Sequence, residues 1–297
     1  MANAYLVLVA GIVCAGVGGE LFVRGAVGIA RALRVSPGII AATVAAFATS
    51  SPELTVAINA AVAGAPEISF GDAVGSNVAN IGLVLGVALL IAPITARRGS
   101  MRRDFPVALL VPVVIAILLV DHRLSRLDGV LLLAGFAAWL VAVTREAAGE
   151  RSAAAAAVLG ESKPYRAVVE SLIGLAFLVA AGKLVVSGAT EIARSFGVSE
   201  FAIGATVVAI GTSVPELATA IISRLRGHDE VGLGTVLGSM IFNGLLIVGT
   251  TAAITPIAVP LAQAAPALVL GVATVGLSYP SRSGIVARWR GGMLLAV

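Results

Sequence analysis

Nine apolar runs of bilayer-spanning length divide this chain, at residues 4–30, 38–62, 70–93, 105–121, 127–144, 167–194, 201–224, 231–254 and 259–279. A helix needs about 20 apolar residues to cross the hydrocarbon core. Only 12% of residues are charged, against about 25% in a soluble domain. A soluble fold would have too little polar surface, so the bulk of the chain belongs in lipid. A tenth apolar piece, 291–297, is too short to span. The expected fold class is an all-α membrane protein of about ten transmembrane helices, the last one truncated. The net charge of +4 sits in short loops, where topology explains it better than nucleic-acid binding does. The single cysteine, Cys14, excludes an internal disulfide and a cysteine-rich metal site.

The chain repeats itself. Leu21–Ile94 aligns without gaps on Leu184–Ile257, with about 30 identities in about 75 positions. ATVAAFATSSPELTVAI matches ATVVAIGTSVPELATAI, and GDAVGSNVANIGLVLG matches GTVLGSMIFNGLLIVG. The expected organisation is a first half at 1–144 with its repeat core at 38–93. A partly helical cytoplasmic linker follows at 145–166, then a second half at 167–297 with its repeat core at 201–256. With the N-terminus outside, the inward loops collect Arg31, Arg34, Arg97, Arg98, Arg102, Arg103, Arg145, Arg151, Lys163, Arg166, Arg224, Arg226, Arg282, Arg288 and Arg290. The outward loops hold only Arg123, Arg126 and Arg194. The positive-inside bias therefore predicts an N-out, multi-pass protein of the cell membrane. Five helices separate equivalent positions, so the two halves are expected to run in opposite directions, as in alternating-access carriers.

Glu53 and Glu216 are repeat-related carboxylates inside apolar runs, where each costs about 2.5–3.5 kcal/mol to insert. Each follows a proline, in TSSPE and TSVPE. Proline removes a helical donor and strains the preceding turn, which frees carbonyls that must face a polar cavity. Ala46, Thr49 and Glu53 share one helix face. On the next helix, Ser76 and Asn80 are four apart, as are Ser239 and Asn243, with Asp72 and Thr235 one turn earlier. Asp72 reads either as a helix N-terminal residue favoured by the dipole or as a group on an ion's approach. Gly71, Gly75 and Gly238 would let helices approach closely. Glu20 and Arg24 are spaced to pair with each other. The inventory is hard oxygen without His or Cys, which suits Ca2+, Na+ or Mg2+ rather than Zn2+.

The motifs ATSSPEL with GSNVANIGL, and GTSVPEL with GSMIFNGLL, resemble the alpha repeats of the cation/calcium exchanger superfamily, in its prokaryotic sodium/calcium exchanger branch. The resemblance implies Ca2+ held between Glu53 and Glu216 with help from the Thr49 and Thr212 carbonyls. It implies Na+ sites from Thr49, Ser50, Ser76, Thr212, Ser213, Ser239 and the carbonyls of Ala46 and Ala209, with Asn80 and Asn243 lining the middle position. It further implies that the first and sixth helices slide against the rest. Three positions depart from the pattern: Ala48 stands opposite Gly211, Met240 opposite Asn77, and Asn243 is acidic in some relatives.

The expected function is secondary antiport of Na+ against Ca2+ by alternating access at a mid-membrane site. Exchange of H+ for Ca2+, or of another divalent cation such as Mg2+, through the same glutamates is the alternative. Enzyme chemistry is not expected, because His122 and His228 fall in loops away from the motifs. Ca2+ and Na+ enter as substrates rather than cofactors. The bilayer is the only other partner implied; nothing points to nucleic acid or requires an oligomer.

Overall fold

The computed structural model describes residues 2–154, 164–197 and 213–297. Helices dominate, in this order: α1 (Ala2–Leu33), α2 (Pro37–Thr49), α3 (Ser51–Val62), α4 (Pro66–Ile91), α5 (Asp104–Leu118), α6 (Arg126–Ala154), α7 (Pro164–Ser195), α8 (Val214–Leu225), α9 (Asp229–Ile254), α10 (Leu261–Ser278) and α11 (Trp289–Ala296). Among the described residues six helices are long and apolar enough to cross a membrane, and α2 with α3, bent by 49°, makes a seventh candidate. The sequence run 201–224 is described only from α8 onward, and the run 127–144 extends as helix into the expected linker, to Ala154.

Repeat-related positions share backbone features. All six described residues with positive φ fall into three pairs: Arg34 (57°) with Gly197 (75°) and Gly64 (77°) with Gly227 (72°) at the repeat offset, and His122 (64°) with Gly284 (81°), one residue off it and beyond the aligned segment. Each pair ends an equivalent helix or shapes an equivalent turn. Four short strands follow the same plan. β1 (Ile94–Thr95) pairs with β4 (Ile285–Val286), and β2 (Arg123–Leu124) pairs with β3 (Ile257–Ala258), both antiparallel. Each ribbon joins one strand from each half of the chain. The helices α4 and α9 both loosen into π-helical turns at matching places, Asn80–Leu85 and Phe242–Ile247.

Packing is set by small residues. The helices α1 and α7 lie against one another so closely that a Cβ on Gly174 would stand 2.4 Å from the Phe22 nitrogen, and one on Gly188 would stand 2.7 Å from the Leu8 nitrogen. Gly238 of α9 does what its sequence predicts: its backbone meets the Ala42 carbonyl of α2 with no room for a side chain. For Gly71 and Gly75 no neighbour stands that close among the described residues. The α9 helix is the most enclosed element and runs through the centre of the core.

Candidate functional site: paired carboxylates between broken helices

The helix break predicted from the first proline motif is present; at the second, residues 198–212 lie outside the described ones and the description resumes at Ser213. The α2 helix stops at Thr49, Ser50 leaves helical geometry (φ −90°, ψ 6°), and α3 begins at Ser51. Ser213 adopts nearly the same conformation (φ −87°, ψ 6°) immediately before α8. Glu53 and Glu216 therefore stand in the first turn of a half-helix each, where free N–H groups and the dipole favour negative charge. Their side chains are close enough for the Glu216 charge to act on Glu53. The Thr49 hydroxyl lies within hydrogen-bonding reach of the Glu216 carboxylate, so α2 of one half touches the carboxylate of the other.

Around this pair the buried oxygens are left open. One oxygen each of Glu53, Glu216, Asn80, Asn243 and Ser239 is out of solvent and has no hydrogen-bond partner among the described residues. Asn80 and Asn243 are only 3% and 1% exposed, and Ser239 is fully buried. An unsatisfied buried polar group costs about 1–3 kcal/mol. All of these oxygens are acceptors or hydroxyls, the hard-oxygen chemistry that suits Ca2+ or Na+. Among the described residues no three His, Cys, Asp or Glu side chains converge, so any cation held here would rest on hydroxyl, amide and carbonyl oxygens beside the two carboxylates.

The remaining sequence-predicted residues fall as follows. Thr49, Ser50 and Ser213 are buried at the breaks. The Ala46 carbonyl accepts the Ser50 N–H at 2.9 Å and the Thr49 hydroxyl at 3.2 Å. Ser76 is half-buried on α4, one turn before Asn80. Thr212 and Ala209 lie outside the described residues. The geometry adds two residues that the motif reading passed over. The Thr219 hydroxyl, one turn after Glu216, is fully buried and unpartnered among the described residues. Asn77 donates to the Met240 carbonyl at 3.2 Å where α4 and α9 cross, and its own carbonyl oxygen is unpartnered among the described residues. Their repeat mates, Val56 and Met240, are apolar; matching the two halves marked Asn77 only as a departure opposite Met240, and the spacing of Thr219 from Glu216 could have flagged it.

Glu20 pairs with Arg24 at 2.6 Å, as their spacing predicts, and with Arg226 at 2.7 Å. Neither of the two core glutamates is paired with a basic side chain among the described residues.

Long apolar helices, a bend at Ser50 and two carboxylates without a basic partner among the described residues define a multi-pass membrane protein with acidic groups set between its helices. A family model described as sodium/calcium exchanger protein matches residues 3–145 and 167–297, and the chain belongs to that family. It is 36% identical to inner membrane protein YrbG of Escherichia coli (strain K12), over 77% of this chain and 73% of that one. It is 27% identical to sodium/calcium exchanger MaX1 of Methanosarcina acetivorans, over 98% and 95%. The solved structure of the sodium/calcium exchanger from Methanococcus jannaschii superposes with a TM-score of 0.83 at 30% identity, covering 99% of this chain and 95% of that one.

Proposed function

We propose that this protein is a secondary antiporter exchanging Na+ for Ca2+ across the cell membrane, with Glu53 and Glu216 as the shared cation ligands. The observation that carries the reading is the pair of repeat-related carboxylates, each in the first turn of its helix and neither with a basic partner among the described residues. Two carboxylates neutralise one Ca2+, whereas several Na+ ions can divide the same oxygens with the hydroxyls of Thr49, Ser50, Ser76, Ser213 and Ser239 and the Ala46 carbonyl. Asn80 and Asn243 line the middle, and Thr212 and Ala209 complete the set by repeat equivalence. Because Ca2+ and Na+ compete for one set of ligands, a Na+ gradient drives Ca2+ the other way, provided the empty carrier rarely switches.

The architecture we infer is two five-helix halves of opposite orientation, bounded as 1–144 and 167–297 with a cytoplasmic connection at 145–166 and the N-terminus outside. Matched positive-φ turns, the like backbone of Ser50 and Ser213, and ribbons shared between the halves support it. So does the clustering of arginine on the β1–β4 side, in the ion pairs of Arg97, Arg103, Arg224 and Arg226. In proteoliposomes, Glu53→Gln or Glu216→Gln is expected to abolish Na+-dependent uptake of radiolabelled Ca2+. Near wild-type flux in either variant overturns the assignment. Uptake driven by a pH gradient without Na+ replaces Na+ with H+ as the coupling ion.

A further inference from the structure

Asp72 has no role in the ligand set above. It sits on α4 one turn before Ser76 and two before Asn80, hence on the stripe that faces the cage. The α3–α4 hairpin turns at Ala63–Ala65, so Asp72 lies between that turn and the level of Glu53. Its charge acts on Glu53. It is half-buried, and among the described residues it makes neither hydrogen bond nor ion pair. Its repeat mate is satisfied and uncharged: Thr235 is fully buried and donates to the Val231 carbonyl at 2.9 Å. The fold thus tolerates a neutral residue at this register, and nothing in the packing of α4 calls for a carboxylate. Two turns deeper on the same stripe, the Asn80 carbonyl oxygen is buried at 3% exposure and unpartnered among the described residues.

Building on the antiport reading, we propose that Asp72 is a specificity-determining residue on one approach to the cage. It acts as an anionic relay that draws a divalent cation from the α3–α4 turn toward Glu53. Two like carboxylates in sequence repel each other when the passage is empty, and a dication bridging their fields removes that repulsion. The effect is stronger for a divalent than for a monovalent ion. In the other half the position of Asp72 is taken by Thr235, which is neutral and fully buried, as is Thr219 beside Glu216. The two faces of the carrier therefore differ in how strongly they attract Ca2+, although the cage between them is shared.

The test is sided. Right-side-out and inside-out vesicles carrying wild type, Asp72→Asn, Asp72→Thr and Asp72→Glu are assayed for the Ca2+ KM of Na+-dependent exchange on each face. Asp72→Asn and Asp72→Thr are expected to raise KM about threefold to tenfold on the face bearing the α3–α4 turn and to leave the other face at its wild-type value. Asp72→Glu restores the wild-type KM. Added salt narrows the difference between wild type and Asp72→Asn. Equal shifts on both faces, or none in either neutral variant, overturn the relay while leaving the antiport reading intact. Absence of Na+-dependent exchange in the wild type defeats the antiport reading and the relay with it.

Discussion

At the residue scale the proposed site is marked by buried hydroxyl and amide oxygens without a partner among the described residues. Ser239 is fully buried with an unpartnered hydroxyl among the described residues, and so is Thr219. Removing such a group by a near-isosteric apolar side chain relieves desolvation that nothing repays in the empty protein. Ser239→Ala and Thr219→Val are each expected to raise the thermal midpoint in detergent without added Ca2+ or Na+, by the equivalent of up to about 1 kcal/mol. Ser239→Ala is also expected to raise the Na+ concentration for half-maximal exchange several-fold, because it removes a proposed Na+ ligand. A fall in the midpoint of both variants shows that these hydroxyls have partners and are structural.

At the element scale the two half-helices and the glycine-packed pair divide the labour. The backbone at Ser50 and Ser213 puts a carboxylate in the first turn of α3 and of α8, while α1 and α7 form a tight two-helix unit beside them. A Cβ at Gly174 would meet the backbone of Phe22 and Gly18, none of it the end of a flexible side chain, whereas one at Gly16 meets nothing within 4 Å. Gly174→Ala is expected to destabilise by about 1–3 kcal/mol and Gly16→Ala to be neutral, read as detergent thermal midpoints side by side. Equal midpoints for the two variants refute the close packing. Much of this layer was legible beforehand. Hydropathy located the long helices, the T-S-S-P-E motif located the break at Ser50, and helical spacing located Glu20 with Arg24. The π-helical turns at Asn80–Leu85 and Phe242–Ile247 were not, because widening of a helix depends on what packs across it rather than on local propensity. The two-residue strands escaped for a similar reason: each exists only through a partner in the other half.

At the scale of the whole molecule, charge and symmetry separate. The repeat relates the halves closely in backbone, yet the β1–β4 side gathers a polar network with no repeat signature in the sequence. Asp104, at 1% exposure, accepts two bonds from the Arg103 guanidinium, at 2.7 and 3.0 Å, and one from the Trp139 indole N–H at 3.1 Å. Arg103 also pairs with Glu146. Farther out, Arg97 bridges Glu230 at 3.1 Å and Glu150 at 3.9 Å, and Glu150 accepts the Ser36 N–H. The network ties α5, α6 and the start of α2 and α9 together at the end of the molecule where the expected linker leaves. Hydropathy had placed Asp104 at the edge of a span and gave no hint of its indole partner, since Trp139 is remote in sequence. The two layers of this network should differ in worth. Asp104→Asn strips a buried guanidinium of its bidentate acceptor and is expected to cost about 3 kcal/mol or more. Arg97→Gln removes half-exposed pairs and is expected to cost no more than about 1 kcal/mol. Thermal midpoints at low and high salt separate them, because screening weakens the outer pairs and spares the inner one. A larger loss in Arg97→Gln than in Asp104→Asn would mean that this end of the molecule is held from its rim, and that the enclosed Asp104 cluster is not what fixes α5 against α6.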